Sequence, residues 1–232
     1  MTQQVGIAIF DLDHTLSRGD SFLSYLGGFL ARRPWRIVRC VHLPIVMLLF
    51  LVRRVNNAKL KESFLYAVLG GVRRAEILAW THEFLDRFLT RKMCREGLAM
   101  LTKHREAGDT LILVTASPDC YVAELGRRLA FHGVICTHVE WIDGRLSGKL
   151  ASPNMRGQEK VRALRDIKIR YGNLPVTAYA DHRSDLALLK LADHGVLVNG
   201  DRKTKEVALR DGIQVCIWRD DKHHPDEACS AQ

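Results

Sequence analysis

The apolar run Val5 to Phe10 stops at Asp11 and Asp13, and no other feature constrains the fold of this chain as strongly. A short apolar stretch that ends abruptly in carboxylates reads as a buried strand leaving its sheet. Open α/β sheets bind ligands in the crevice beyond the carboxyl ends of their strands. Two carboxylates two residues apart at such an end are directed at one point, where phosphate chemistry can sit. Further apolar runs follow as TLILVT, PVTAYA, GVLV and QVCIW, with amphipathic stretches between most of them. That alternation predicts an α/β fold with a parallel sheet covered by helices on both faces. The expected core is residues 1–16 plus 93–219. WIDGRLSGKL reads as a hairpin turning at Asp143 and Gly144. The polar stretch 220–232 reads as a frayed, disordered tail in which His223 and His224 are not ligands.

About a hundred residues separate the first two apolar runs, too many for an ordinary strand-to-helix connection. Residues 17–92 are therefore expected to form a helical cap over the crevice. Leu60, Phe64, Leu65, Val68 and Leu69 share one helical face that stops at Gly70 and Gly71, and Ile77, Leu78, Thr81, Phe84, Leu85 and Phe88 mark another. This insert holds 14 Lys/Arg against 5 Asp/Glu, while the rest of the chain is balanced at 21 and 21, so the whole net charge of +9 resides in it.

Within the insert, residues 32–54 combine an apolar run, Ile45 to Val52, with Arg32, Arg33, Arg36 and Arg39 before it and Arg53 and Arg54 after it. A membrane span needs roughly 20 apolar residues, and Pro44 interrupts this one. Basic residues near an anionic lipid surface contribute roughly 1 kcal/mol each. The segment is read as an apolar wedge at lipid headgroups, against the alternative of a buried helix with a solvated basic rim. The six cysteines form no CxxC pair and no zinc-like spacing, which fits a reducing, intracellular compartment. A cleaved signal peptide would remove Asp11, so secretion is not expected. The expected location is cytoplasmic, peripheral on the inner membrane.

Three more places carry chemistry. LILVTASPD predicts a strand ending at Thr115, with Ser117 as N-cap and Pro118 as the first helical residue, a junction whose hydroxyl and free N–H groups suit a phosphoryl oxygen. GQEKVRALRD puts Lys160 in the first turn of a helix with Val161, Leu164 and Ile167 on its apolar face. A lysine there opposes the helix dipole and suggests a compensating anion. AYADHRSDLALL ends a strand at Asp181 with Asp185 four residues on, and Mg2+ is commonly held by one or two carboxylates plus waters and phosphate. Each motif alone also fits a common structural role: a strand-to-helix junction, a solvated lysine, a helix cap with a surface acid.

Taken in order, Asp11-Leu12-Asp13-His14-Thr15, Thr115, Lys160 of GQEK, and Asp181 with Asp185 resemble the haloacid dehalogenase superfamily across essentially the whole core. The insert after the first motif, the DGRLSG hairpin and the GxxK spacing look like its phosphoserine-phosphatase-like subgroup. The resemblance implies a Rossmann-like sheet and a Mg2+-dependent phosphomonoester hydrolase. Asp11 would form an aspartyl-phosphate, and Asp13 would protonate the leaving oxygen and later activate water. Thr115, Ala116 and Lys160 would hold the phosphoryl oxygens. The metal would lie on the Asp11 carboxylate, the Asp13 carbonyl and the Asp181 carboxylate, with Asp185 holding its waters. Asp13 points to a phosphatase, since dehalogenase relatives lack an acid there and the DKTGT signature of ion-pumping ATPases is missing.

Two departures stand out: His182 at a position that is often small, and Thr115-Ala116-Ser117 in place of Ser-Gly-Gly. His14 is expected as a packed loop histidine. The Arg-flanked apolar segment is similar in layout to the bacterial phosphatidylglycerophosphate phosphatase C type, which implies a lipid phosphate substrate. Phosphoserine or histidinol phosphate would need no such segment and forms the competing reading. A non-catalytic scaffold on membrane or nucleic acid is the remaining class, because charge alone does not separate lipid from nucleic-acid phosphates. No nucleic-acid partner is expected, since the arginines alternate with aliphatics rather than stacking aromatics.

Overall fold

The computed structural model describes residues 5–172 and 174–218, so the expected tail at 220–232, with His223 and His224, lies outside the described residues. Six parallel strands form one sheet in the order β3-β2-β1-β6-β7-β8. They are β1 (Ile7–Phe10), β2 (Thr110–Pro118), β3 (Gly133–Thr137), β6 (Val176–Ala180), β7 (His194–Val198) and β8 (Gln214–Cys216). β1 is central, pairing with β2 through Phe10 and Leu113 and with β6 through Phe10 and Tyr179. The connections run outward in opposite directions from β1, so the crevice opens where that strand ends. An antiparallel hairpin, β4 (Val139–Ile142) and β5 (Arg145–Leu150), stands apart from the sheet. Asp143 (φ 48°) and Gly144 (φ 71°) make its turn with two left-handed residues, as expected of a tight hairpin.

Alternation along β1 divides the core. Ile7 and Ile9 join Leu164, Ile167, Leu188 and Leu189 on one face, from helices α7 (Gln158–Tyr171) and α8 (Leu186–Leu191). Ala8 and Phe10 face the other side, with helices α5 (Arg95–Glu106) and α6 (Asp119–Arg128). Helix α9 (Arg202–Arg210) precedes β8. Strand β3 had no counterpart among the expected apolar runs, because only Cys136 and Thr137 of its five residues are buried.

The insert comprises α1 (Ser21–Arg32), a 3-10 helix (Pro34–Cys40), α2 (Leu43–Leu51), α3 (Asn57–Leu69) and α4 (Arg74–Arg91). Asp20 and Asn56 cap α1 and α3, accepting from Leu23 N at 2.7 Å and Lys59 N at 2.9 Å. The second apolar group on the core side runs without interruption into the insert: Tyr25 of α1 stacks on Tyr121 of α6 with ring centres 4.6 Å apart, and Phe84 meets both rings. On α4 the buried face includes Trp80, whereas Leu78, expected there, is exposed. The two stems of the insert are tied by Arg18 N to Lys92 O at 2.8 Å and Cys94 N to Leu16 O at 2.9 Å.

The segment around residues 32–54 departs from expectation in one respect. Helix α2 buries no residue, and Val41, Ile45, Leu48 and Leu51 are each more than 60% exposed, which is not the geometry of a buried helix with a basic rim. Among the described residues no single helix is long and apolar enough to cross a membrane; only the 3-10 helix and α2 taken together, bent by 46°, reach that length and composition. The basic flank, however, is largely consumed. Arg36 and Arg39 donate to Gly70 O (2.6 and 3.0 Å), and Arg39 also to Tyr66 O (3.0 Å). Gly70 is the C-cap of α3, where carbonyls lack intrahelical donors, and the guanidiniums supply them there while adding a second donor to Tyr66 O, which already accepts from Gly70 N. Arg32 pairs with Glu83 and Arg33 with Glu76. Cys40, Cys94, Cys120 and Cys136 are free thiols.

Candidate active site

Asp11 is the last residue in register with the sheet, its N–H donating to Tyr179 O at 2.9 Å. The chain then closes one wide helical turn, with Ser17 N on Leu12 O at 2.9 Å and His14 in the left-handed region at φ 57°. That turn holds His14 out in solvent rather than packed as expected. Asp11 Oδ1 accepts from Leu12 N at 2.8 Å, while Oδ2 lies 2.9 Å from Lys160 Nζ.

Lys160 reaches in from the first turn of α7, 2% exposed, and its ammonium also contacts Asp185 Oδ2 at 2.7 Å. The anion that the lysine's position called for is thus supplied by the chain itself. Burial alone would push this ammonium down, but Asp11 and Asp185 outweigh it and hold Lys160 above the ordinary lysine range. Burial pushes Asp11 up to about 6, opposed by Lys160 and reinforced by Asp185 and Asp13. Asp181, just past β6, is pushed up to about 7 by burial and then by the Asp11 and Asp185 charges. Asp185 sits on a short 3-10 turn, Arg183–Asp185, with Ser184 Oγ on its second oxygen at 3.2 Å. His182 is exposed at the rim, and its Nδ1 accepts from Ser184 N at 2.9 Å.

Asp13 is directed differently. Its Oδ1 accepts from Ser21 N at 2.6 Å and its Oδ2 from Ser117 Oγ at 2.7 Å. Ser117 is not the N-cap expected of it, because β2 continues through Pro118 and α6 starts only at Asp119. The extra strand residues carry Ser117 across to Asp13. Thr115 is buried, and its Oγ1 accepts from Ser117 N at 3.1 Å, leaving the hydroxyl proton to donate elsewhere. All seven residues singled out in the sequence, Asp11, Asp13, Thr115, Ala116, Lys160, Asp181 and Asp185, line one cavity of about 340 Å³.

The haloacid dehalogenase-like hydrolase family profile matches residues 8–190, a span that contains every one of these seven positions. The chain belongs to that family. Phosphoserine phosphatase SerB1 of Mycobacterium tuberculosis is 29% identical over 218 residues, covering 91% of this chain and 70% of the relative. Protein CicA of Caulobacter vibrioides is 31% identical over 200 residues, covering 83% and 87%. Among solved structures, a Bordetella pertussis Tohama I protein of unknown function superposes with a TM-score of 0.77 at 25% identity, covering 91% of this chain and 98% of that one. A phospho-aspartyl intermediate analogue of phosphoserine phosphatase shares the fold, with a TM-score of 0.64 at 14% identity over 93% and 94% of the two chains.

This haloacid dehalogenase-like hydrolase also places in the cavity residues that the sequence reading passed over. These are Asp20, Lys61 and Arg156, which add charge to its walls, while Phe22, and Leu60 and Phe64 of the expected helical face, add apolar surface. Lys61 left a readable trace: it falls on the same helical face as Leu65, Val68 and Leu69, where an apolar residue is the norm. Ser117 and Ser21 left none, since their roles depend on a strand running three residues further than its apolar run.

Proposed function

We propose that this hydrolase is a Mg2+-dependent phosphatase that cleaves phosphate monoesters through a phosphoenzyme at Asp11, with the helical insert acting as a cap over the cavity. The observation that carries this reading is the separation of roles between two neighbouring carboxylates, one against Lys160 and one held by Ser21 and Ser117. The Asp11 carboxylate attacks phosphorus and the P–O ester bond breaks. Asp13 gives its proton to the departing oxygen. Asp13 then takes a proton from water, whose oxygen attacks the same phosphorus and releases phosphate and Asp11. The Thr115 hydroxyl, the Ala116 N–H and the Lys160 ammonium receive the negative oxygens.

The donor set fits a hard divalent cation. It is all oxygen, the chemistry Mg2+ takes from one or two carboxylates plus waters and substrate phosphate. Asp11, the Asp13 carbonyl and Asp181 would hold it, with Asp185 ordering its waters. Once bound it would supply positive charge for the phosphoryl oxygens and offset the carboxylate repulsion that lifts Asp11 and Asp181.

For the substrate, a lipid phosphate monoester such as phosphatidylglycerophosphate, taken up by a protein peripheral on an anionic membrane, has the better support. Leu23, Leu60, Phe64 and Met47 form an apolar wall of the cavity, and Met47 belongs to the exposed helix α2, so one apolar surface leads from outside toward the reacting centre. A soluble phosphatase of phosphoserine or histidinol phosphate is the second reading, favoured by the likeness to SerB1. The test is phosphate release from phosphatidylglycerophosphate in mixed micelles, phosphoserine and histidinol phosphate, with and without Mg2+, and with Asp11→Asn as the blank. A lipid preference above about a hundredfold in kcat/KM, roughly 2.7 kcal/mol, supports the lipid reading. Preference for a small ester supports the second. No Mg2+-dependent turnover on any of them overturns both.

A further inference from the structure

Helix α3 puts a lysine where its neighbours are apolar. Lys61 is 9% exposed, on the face that also buries Leu65, Val68 and Leu69. An ammonium taken out of water costs several kcal/mol unless its donors are met. Lys61 Nζ donates to the backbone carbonyl of Ala116 and to Asn154 Oδ1 (2.7 Å), and it stands 5.8 Å from the centre of the Phe22 ring. Both acceptors are neutral, and among the described residues no carboxylate pairs with it directly. Burial depresses this ammonium to about 8, with Asp13 and Asp20 acting against that. As packing alone, the position would be better served by an apolar side chain.

The two acceptors belong to one circuit. Thr137 Oγ1 donates to Ala116 O at 2.8 Å, lies 3.2 Å from Asn154 Oδ1, and accepts from Met155 N at 3.0 Å. Asn154 Nδ2 returns to α3 by donating to Asn57 Oδ1 at 2.9 Å. Ala116 lies between Thr115 and Ser117, so its carbonyl fixes the peptide whose N–H bonds Thr115 Oγ1 and whose side chain bonds Asp13. One ammonium from the insert thereby grips the strand end that presents the Thr115 hydroxyl and orients Asp13.

We propose that Lys61 is a positioning residue that locks the helical insert onto the Thr115–Ser117 end of β2 and so holds Thr115 and Asp13 in their working geometry. This rests on the phosphatase reading above. Misplacement of such groups by about 1 Å can cost on the order of a hundredfold in rate. Because Lys61 acts on the strand end rather than on the leaving group, its loss lowers kcat more than it raises KM.

The test uses the full chain and a small chromogenic phosphate ester, with thermal unfolding run on every variant. Lys61→Met, of similar length and suited to an apolar face, is expected to stay folded, lose about 10- to 100-fold in kcat and change KM less than about threefold. Lys61→Arg, which keeps the charge and donors, is expected to recover most of that loss. Asn154→Ala breaks the same circuit from the core side and is expected to lower kcat in the same sense. It also decides the matter if Lys61→Met does not fold. A folded Lys61→Met or Asn154→Ala with unchanged kcat overturns the proposal, and so does a loss that Lys61→Arg fails to recover. A wild-type chain without Mg2+-dependent turnover would instead overturn the phosphatase reading, and the two failures are told apart by that control.

Discussion

Ser117 donates its hydroxyl to Asp13 Oδ2 at 2.7 Å, bridging the end of β2 to the turn that follows β1. The same hydroxyl lies 3.3 Å from Ser21 Oγ, which in turn pairs with Tyr121 OH at 2.8 Å. With Ser21 N on Oδ1, neither oxygen of Asp13 is free to rotate toward Asp11. Replacing Ser117 by alanine leaves the Ser21–Tyr121 pair to satisfy the buried hydroxyls, so the fold should persist. The carboxylate gains freedom, and under the proposed role of Asp13 as general acid kcat should fall about tenfold, part of the roughly 10²–10⁴-fold that such catalysis contributes, with little change in unfolding temperature. Phosphate release and thermal unfolding on the same preparation check this.

Lys160 separates two carboxylates that would otherwise face each other in a dry site. Lys160→Met should therefore cost stability as well as activity, by about 3 kcal/mol, the scale for removing one partner of a buried ion pair. The loss should be larger at pH 8 than at pH 5, because Asp11, already raised to about 6 beside its lysine, is protonated at the lower pH. Urea unfolding at the two pH values measures both the size and the trend.

The raised carboxylates also fix how metal and pH act together. Asp11 at about 6 and Asp181 at about 7 lie above their unfolded value of 3.8, so between pH 4 and 7 the folded metal-free chain binds more protons than the unfolded one. Its stability contribution from these groups is full below pH 4 and is lost as pH rises through 6 and 7. The metal-free protein should thus melt at a lower temperature at pH 8 than at pH 5. Mg2+, which competes with those protons, should raise the melting temperature more at pH 8. A Mg2+ effect of equal size at both pH values would argue against carboxylate ligands.

Much of this arrangement was legible because the chemistry sits at strand ends, and strand ends coincide with the ends of apolar runs. Asp11 and Asp181 each follow a run whose every interior residue is buried or nearly so, and the hairpin turn was marked by Asp143-Gly144. What stayed hidden depends on tertiary distance. The carbonyl of Gly70 claims Arg36 and Arg39, which no local pattern reveals and which reduces the basic flank that the sequence offers a membrane. Strand β3 was obscured because its edge position buries only its last residues. Lys61 was readable as a violation of the apolar face, yet its partners, Ala116 and Asn154, lie 55 and 93 residues away.

Helix α2 offers the sharpest test of membrane docking, because its outer residues contribute nothing to the fold. Ile45, Leu48 and Leu51 are each more than 60% exposed, so changing all three to serine removes apolar surface that folding never buried, and thermal stability should hold. If that surface enters a lipid interface, each side chain is worth on the order of 1.5–3 kcal/mol when fully buried, and the triple variant should lose vesicle binding almost entirely. Arg53 and Arg54 are exposed, and among the described residues their side chains make no ion pair or hydrogen bond, unlike those of Arg32, Arg33, Arg36 and Arg39. Their replacement by alanine should cost roughly 1 kcal/mol each on anionic vesicles and much less on neutral ones, with the difference fading at high salt. Co-sedimentation with vesicles of either charge, paired with turnover of micellar lipid and of a small chromogenic ester, separates the cases. Selective loss on lipid places α2 at the interface, whereas equal loss on both substrates makes it a structural wall of the cavity through Met47.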